Sequence, residues 1–279
     1  MAKTLPPTLQ SLRAEMDTPA ASRVDCREAR EAIDWTYHEA WQADAIGRTE
    51  LEWLLAWMRH CEDSRRFEIA DGLCVTLIGE GRLEQAIALA DSLLEESPDP
   101  GLTHTLALAR AANGEVTEAI ALLRDLTEHP RFARLPSEVA AQVFLDLATL
   151  HRREGSLFKA IGPLTRAVET AARSDDPLIL EQAADMLIEQ LVEQGGGDEA
   201  VEILLPWLDD ARLGLWQRVL TRLGPHLDPA VRERGTALMV EAGDYRTVLN
   251  LLIDAASRDE QALMLAFTAA LALSAPAEA

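Results

Sequence analysis

The sequence predicts an all-α chain in which one two-helix unit is repeated in tandem. Three observations carry that prediction. At five places a glycine is followed, five residues later, by a small residue and then an aliphatic one. These are Gly81/Ala86/Ile87, Gly114/Ala119/Ile120, Gly155/Ala160/Ile161, Gly195/Ala200/Val201 and, with Val as the small residue, Gly243/Val248/Leu249. A leucine stands eight residues before each of the first four glycines, at Leu73, Leu106, Leu147 and Leu187. Hydrophobic residues make up 48% of the chain but aromatics only 5%. Ala and Leu fill the difference, and both lose little side-chain freedom in a helix. No stretch alternates apolar and polar residues as a half-buried strand does.

Residues 1–25 mix Pro, Thr, Ser and charge without a helical period, which predicts a mobile tail. From Cys26 the pattern turns amphipathic: Cys26, Ala29, Ile33, Tyr37 and Ala40 recur at spacings of three and four, on one helical stripe. Gly47 ends that helix and Thr49 caps the next, whose apolar band is Leu51, Leu54, Leu55 and Met58. The two form an N-terminal helical pair over 26–66. Trp35, Trp41, Trp53 and Trp57 crowd into this pair. They read either as an aromatic core that caps the array or as an exposed docking patch.

The repeat array is predicted over 67–256, in about five units. In the first unit, helix A ends near Gly79-Glu80-Gly81. Helix B begins near Leu83 and stops before Pro98-Asp99-Pro100, because proline cannot continue a helix. The leucines are knobs that helix A presents to its own helix B. Small residues beside them (Cys74, Ala107, Ala148) and opposite them (Ala86, Ala119, Ala160, Ala200) let the two backbones approach. Each turn glycine can take positive φ without steric cost. The glycines lie 33, 41, 40 and 48 residues apart, so the array is irregular. Gly162-Pro163 and Pro206 fall inside B helices and predict kinked or shortened segments. The stretch Leu215–Leu223 reads as an extra helix. Residues 257–279 are predicted to hold a C-terminal capping helix and tail. Its core, Gln261 to Leu273, is apolar nearly all round, so it lies in a groove, lies against the extra helix, or joins a second copy as a homodimer.

The units resemble the tetratricopeptide repeat (TPR), whose outline is W-x2-L-G-x2-Y, then A-x3-F, then A and P. The first unit offers Leu73, Cys74, Leu77, Ala86, Ala90, Leu93 and Pro98 at those places. The second offers Leu106, Ala107, Arg110, Ala119, Leu123 and Leu126. The third has Phe144, Leu147, Ala148, His151, Ala160, Leu164 and Ala167, and the fourth Ala184, Leu187, Ile188, Leu191, Ala200, Leu204 and Trp207. The fifth is degenerate, with Gly235 where the leucine belongs. The resemblance implies a right-handed superhelical solenoid of antiparallel helix pairs that binds a partner along the concave face of its A helices. Carried over, that face comprises Asp71, Val75, His104, Thr105 and Leu108, then Leu145, Asp146, Thr149 and Arg152, then Gln182, Asp185, Glu189 and Glu193. The Lys, Asn and Arg set with which some members grip a partner's terminal carboxylate is not reproduced at these places.

The net charge is −21, from 47 acidic and 26 basic side chains. Such a field repels nucleic acid and anionic membranes and favours a basic or amphipathic protein segment. Three cysteines without a CxxC pair, no apolar leader at the N-terminus and no apolar run of about 20 residues together predict a cytoplasmic protein. No phosphate loop, nucleophile elbow or zinc motif occurs. His60 and Cys61 are adjacent on a helix and point about 100° apart, so they would not share a metal ion. The sequence therefore predicts no cofactor, no metal and no enzyme. A helical enzyme would need inward acids on facing helices, and Asp185 with Glu189 is the nearest pair. The leading reading is a non-catalytic scaffold, adaptor or assembly or secretion-type chaperone. The alternative is a regulatory sensor acting through a separate effector protein.

Overall fold

The computed structural model describes residues 66–174 and 176–256. The tail, the helical pair ahead of Arg66 with its four tryptophans and His60-Cys61, and the capping segment beyond Ala256 lie outside the described residues. So does the homodimer contact assigned to that segment. The chain divides after Phe132 into two compact units, Met1–Phe132 and Ala133–Ala279.

The first unit holds α1 (Arg66–Gly79), α2 (Leu83–Leu94), α3 (Pro100–Ala112) and α4 (Val116–Glu128). The second holds α5 (Ser137–Arg153), α6 (Leu157–Ala171), α7 (Pro177–Glu193), α8 (Gly197–Leu204), α9 (Leu213–Leu223), α10 (Pro229–Glu241) and α11 (Tyr245–Ala256). All regular structure among the described residues is helical. Within each unit consecutive helices pack as antiparallel neighbours, and each A helix also meets the next one, α1 on α3 and α5 on α7.

Among the described residues, the five glycines of the repeat register are the five that take positive φ, between 73° and 90°. Each sits in the same double hydrogen-bonded helix end. Arg82 N–H donates to the Leu77 carbonyl at 2.8 Å while Gly81 N–H donates to Ile78 at 3.0 Å. The pair recurs as Glu115→Arg110 with Gly114→Ala111, and as Ser156→His151 with Gly155→Arg152. It recurs again as Gly196→Leu191 with Gly195→Val192, and as Asp244→Met239 with Gly243→Val240. This is the Schellman arrangement, which satisfies helix-end carbonyls only if one residue turns left-handed. It explains why glycine, and no other residue, keeps the period.

The seams are as the pattern predicts. Leu73, Leu106, Leu147 and Leu187 are buried, and Ala86, Ala119, Ala160 and Ala200 are 0% exposed. Each leucine so buried contributes about 1.5–3 kcal/mol relative to exposure. Close approach is explicit in the first hairpin, where the Cys74 thiol lies 3.5 Å from the Ala86 carbonyl it donates to. Burial first, and Asp71 second, push that thiol up to about 12, so Cys74 is a packing residue. The units thus repeat one build, with the same glycine helix end and the same leucine–alanine seam.

Two prolines behave differently. Pro206 follows an eight-residue α8 and lies in a 3-10 turn, Leu205–Trp207, so that helix is cut short. Pro163 lies inside α6, which runs on for 15 residues, so no shortening follows there. The predicted extra helix is α9, whose Leu215, Trp216, Val219, Leu220 and Leu223 are all buried.

Candidate functional site

In the first unit the residues expected on the open face divide by depth. Thr105 on α3 is buried, and its hydroxyl donates to the carboxylate of Asp71 on α1. Burial raises the Asp71 carboxyl above its ordinary value, against the opposing pull of the Thr105 hydrogen bond and of His104. Asp71 and Thr105 therefore lock two successive A helices together, and Thr105 is not a surface residue. His104 and Leu108 are half-buried on α3, while Val75, one turn beyond Asp71, is 48% exposed.

In the second unit Arg152, Asp185 and Glu189 enter two sets of interhelical ion pairs that both end on α7. Arg152 at the end of α5 reaches Glu189 on α7 with both terminal nitrogens, at 3.2 and 3.5 Å. Asp185, one turn earlier on α7, accepts from Arg218 Nε of α9 at 2.7 Å, and Arg222 lies 3.6 Å from its other oxygen. Arg218 also pairs with Glu181 at 2.8 Å and donates to the Gly214 carbonyl at 3.1 Å. Gly214 carries no Cβ because the Glu181 carboxylate occupies that space. Asp146 accepts from Gln142 Nε2 at 3.1 Å. Thr149 is exposed, its hydroxyl donating to the Leu145 carbonyl at 2.9 Å, and Glu193 is exposed one turn past Glu189.

Leu145 departs from expectation. It is 1% exposed, because the face of α5 that carries it also carries Ala141 and Ala148 into the interior. The arginines of α9 and Glu181 were not among the expected residues. Their spacing was the available signal, since Glu181/Asp185 and Arg218/Arg222 are each four apart and so share a helix face. With their side chains 18–46% exposed, such pairs contribute about 0.2–1 kcal/mol each. Their effect is positional: long side chains of three helices are held in a fixed row. The row carries Asp146, Glu181, Asp185, Glu189 and Glu193 against Arg152, Arg218 and Arg222, five carboxylates to three guanidiniums. Asp185 and Glu189, the nearest approach to a catalytic carboxylate pair, are each clasped by arginine.

No helix among the described residues is long and apolar enough to cross a membrane. No protein-family model and no curated protein matches the chain. Among solved structures it is similar to the apo form of RapI, at 12% identity and a TM-score of 0.48, covering 86% of this chain and 96% of that one. It is similar to the kinesin-light-chain TPR-like repeats of Podosopora anserina, at 21% identity and a TM-score of 0.43, covering 63% of this chain and 96% of that one. A third is the TPR2AB domain of yeast Sti1 in its pHSP90 complex, at 14% identity and a TM-score of 0.37, covering 75% and 100%.

Proposed function

We propose that this chain is a non-catalytic protein-binding scaffold, an adaptor or assembly-type chaperone, that receives a partner segment on the row formed by α5, α7 and α9. The observation that carries the reading is the pair of interhelical ionic clusters that meet on α7. Charged side chains from three helices are preset along one face, so a partner orders few of them on binding. The internal pairs are weak enough to be exchanged for contacts with a ligand. The carboxylate surplus on this row favours a segment of net basic charge, by the complementarity that steers encounter and fixes register. Thr149 and Glu193 are the exposed positions on this row for direct contact. The arginine clasps on Asp185 and Glu189 support a binding role over acid–base work for that pair.

The test is a site-specific photo-crosslinker placed at Thr149 or Glu193 and, as control, at exposed Glu202 on α8. Crosslinks to one partner from the first two sites, lost with Asp146→Asn/Glu193→Gln, are expected. Equal yields from Glu202, or crosslinks unaffected by the double substitution, would remove α5, α7 and α9 as the receiving face.

A further inference from the structure

We infer that the solvent-facing side of α6 is a second docking surface, for an acidic amphipathic protein segment. The inference begins with charge. In the second unit Arg152, Arg212, Arg218, Arg222 and Arg234 each lie within 4.0 Å of a carboxylate. Lys159, Arg166 and Arg173, like Arg134, Arg232 and Arg246, are exposed and have no carboxylate partner among the described residues, but only the first three line up along one helix. They stand seven residues apart, two helical turns per step, so they form one stripe about 21 Å long on and just past α6.

The same arc carries an apolar anchor. Phe158 is 79% exposed. Gly162, one turn beyond Phe158, has open space where a Cβ would stand. Along the i, i+4, i+8 line, Phe158 and Arg166 therefore flank a position that carries no side chain. Arg166 is held in place, its guanidinium 5.4 Å from the centre of the Phe144 ring on α5. The one acid on the arc is half-buried Glu169, so the arc has a net charge of +2. The opposite side of α6 is fully used, with Ala160, Leu164, Ala167 and Val168 at 0% exposure, so this arc is not needed for folding.

Net cationic charge and an exposed aromatic define the occupant: carboxylates spaced along a helix or strand, with an apolar residue to seat beside Phe158. A long polyanion fits less well, since the −21 field of the whole chain repels it beyond the three cations. The surface differs from the α5, α7 and α9 row in polarity and in helix, so either can fail alone.

The experiment uses the full chain and a fluorescent 18-residue helical peptide with Glu at seven-residue spacing and a Leu stripe alongside. Controls are the same peptide with Lys for Glu, and one with Ser for Leu. Anisotropy should show saturable, salt-sensitive binding of the acidic Leu peptide alone. It should weaken at least tenfold with Lys159→Gln/Arg166→Gln/Arg173→Gln, several-fold with Phe158→Ala, and not at all with Asp146→Asn/Glu193→Gln. Circular dichroism confirms folding of each variant, and the single changes Lys159→Gln and Phe158→Ala substitute if the triple one fails to fold. No binding at peptide concentrations up to about 1 mM, or binding unchanged in the triple or either single variant, overturns the inference. Tighter capture of duplex DNA or of phosphatidylserine vesicles, or self-association lost in the triple variant, assigns the stripe to a different occupant and overturns it equally.

Discussion

Gly235→Ala adds one methyl group at the position where four other units carry their leucine knob or its equivalent. An ideal Cβ there would lie 2.6 and 2.7 Å from Cε3 and Cζ3 of Trp216, and 3.1 Å from Cδ1 of Leu220. Ordinary contact begins near 3.4 Å, so the indole must retreat by most of an ångström. It has little room: Trp216 is 1% exposed, its Nε1 donates to the Asp209 carbonyl at 3.0 Å, and Arg234 covers its ring at 5.8 Å. Overpacking of this kind costs about 1–3 kcal/mol, while the better helix propensity of Ala returns up to about 1 kcal/mol. The net expectation is a loss of about 1–2 kcal/mol, or roughly 2–8 °C in Tm for a unit of this size. Thermal unfolding by calorimetry measures it. In a Trp216→Phe background the six-membered ring is withdrawn, and the same Gly235→Ala change should become neutral or stabilising, a coupling readable by double-mutant cycle. An unchanged or raised Tm for Gly235→Ala alone, or additivity of the two changes, would refute the size exchange between Gly235 and Trp216.

Gln190 is 0% exposed and neither amide atom has a hydrogen-bond partner among the described residues, while Leu150 holds the same register position in the unit before. Gln190→Leu should therefore stabilise by about 1–3 kcal/mol, the cost of an unsatisfied buried polar group, and a fall in denaturant midpoint would contradict this. Gly72 and Gly81 both face open space, but only Gly81 has positive φ, at 73°. Gly81→Ala should cost about 1–2 kcal/mol and Gly72→Ala should gain about 0.5–1 kcal/mol, with equal effects telling against the helix-end argument. Asp71 titrates above its ordinary value of 3.8 because it is buried, so its contribution to stability is complete below that value and is lost as pH rises through the folded one. Asp71→Asn should then be more stable than the parent at pH 7, with the gap closing as pH falls toward 4 in matched denaturant titrations. A gap that widens on acidification reverses the sign of the linkage.

The hairpins could be read from sequence because their cause is local. A left-handed helix end demands glycine, and the seam eight residues before and five after it demands a knob and a small residue. Helix starts were equally available: Asp99-Pro100, Asp176-Pro177 and Asp228-Pro229 each place a capping carboxylate before a proline, and each aspartate accepts from a backbone N–H at 2.8–2.9 Å. The first of these was read only as a stop for α2. The site was harder. Spacing places Arg152, Asp185 and Glu189 on faces, but it cannot say that α9 supplies Arg218 to Asp185, since that contact joins residues 33 apart through an insertion outside the repeat. Leu145 and Thr105 were misplaced because a single residue, about 100° of helix rotation, separates seam from surface.

That insertion also accounts for the degenerate fifth unit. The glycines flanking it, Gly195 and Gly243, are 48 residues apart, about 14 more than one repeat requires, enough for a single helix and not for a hairpin. A lone helix added to a two-helix repeat must itself act as an A helix to the unit before it. The ion pairs do place α9 against α7 on the same row on which α5 pairs with α7. The following unit then meets α9 with its own first helix. At the knob position of α10 the space a leucine would fill is already held by Trp216, so glycine is the residue that fits. Further on, Gln217 of α9 donates to Thr247 of α11 at 3.1 Å, a polar tie at a buried threonine. The loss of the leucine in the fifth unit is thus not decay of the repeat. It is the packing consequence of recruiting α9, the helix that also completes the charged row.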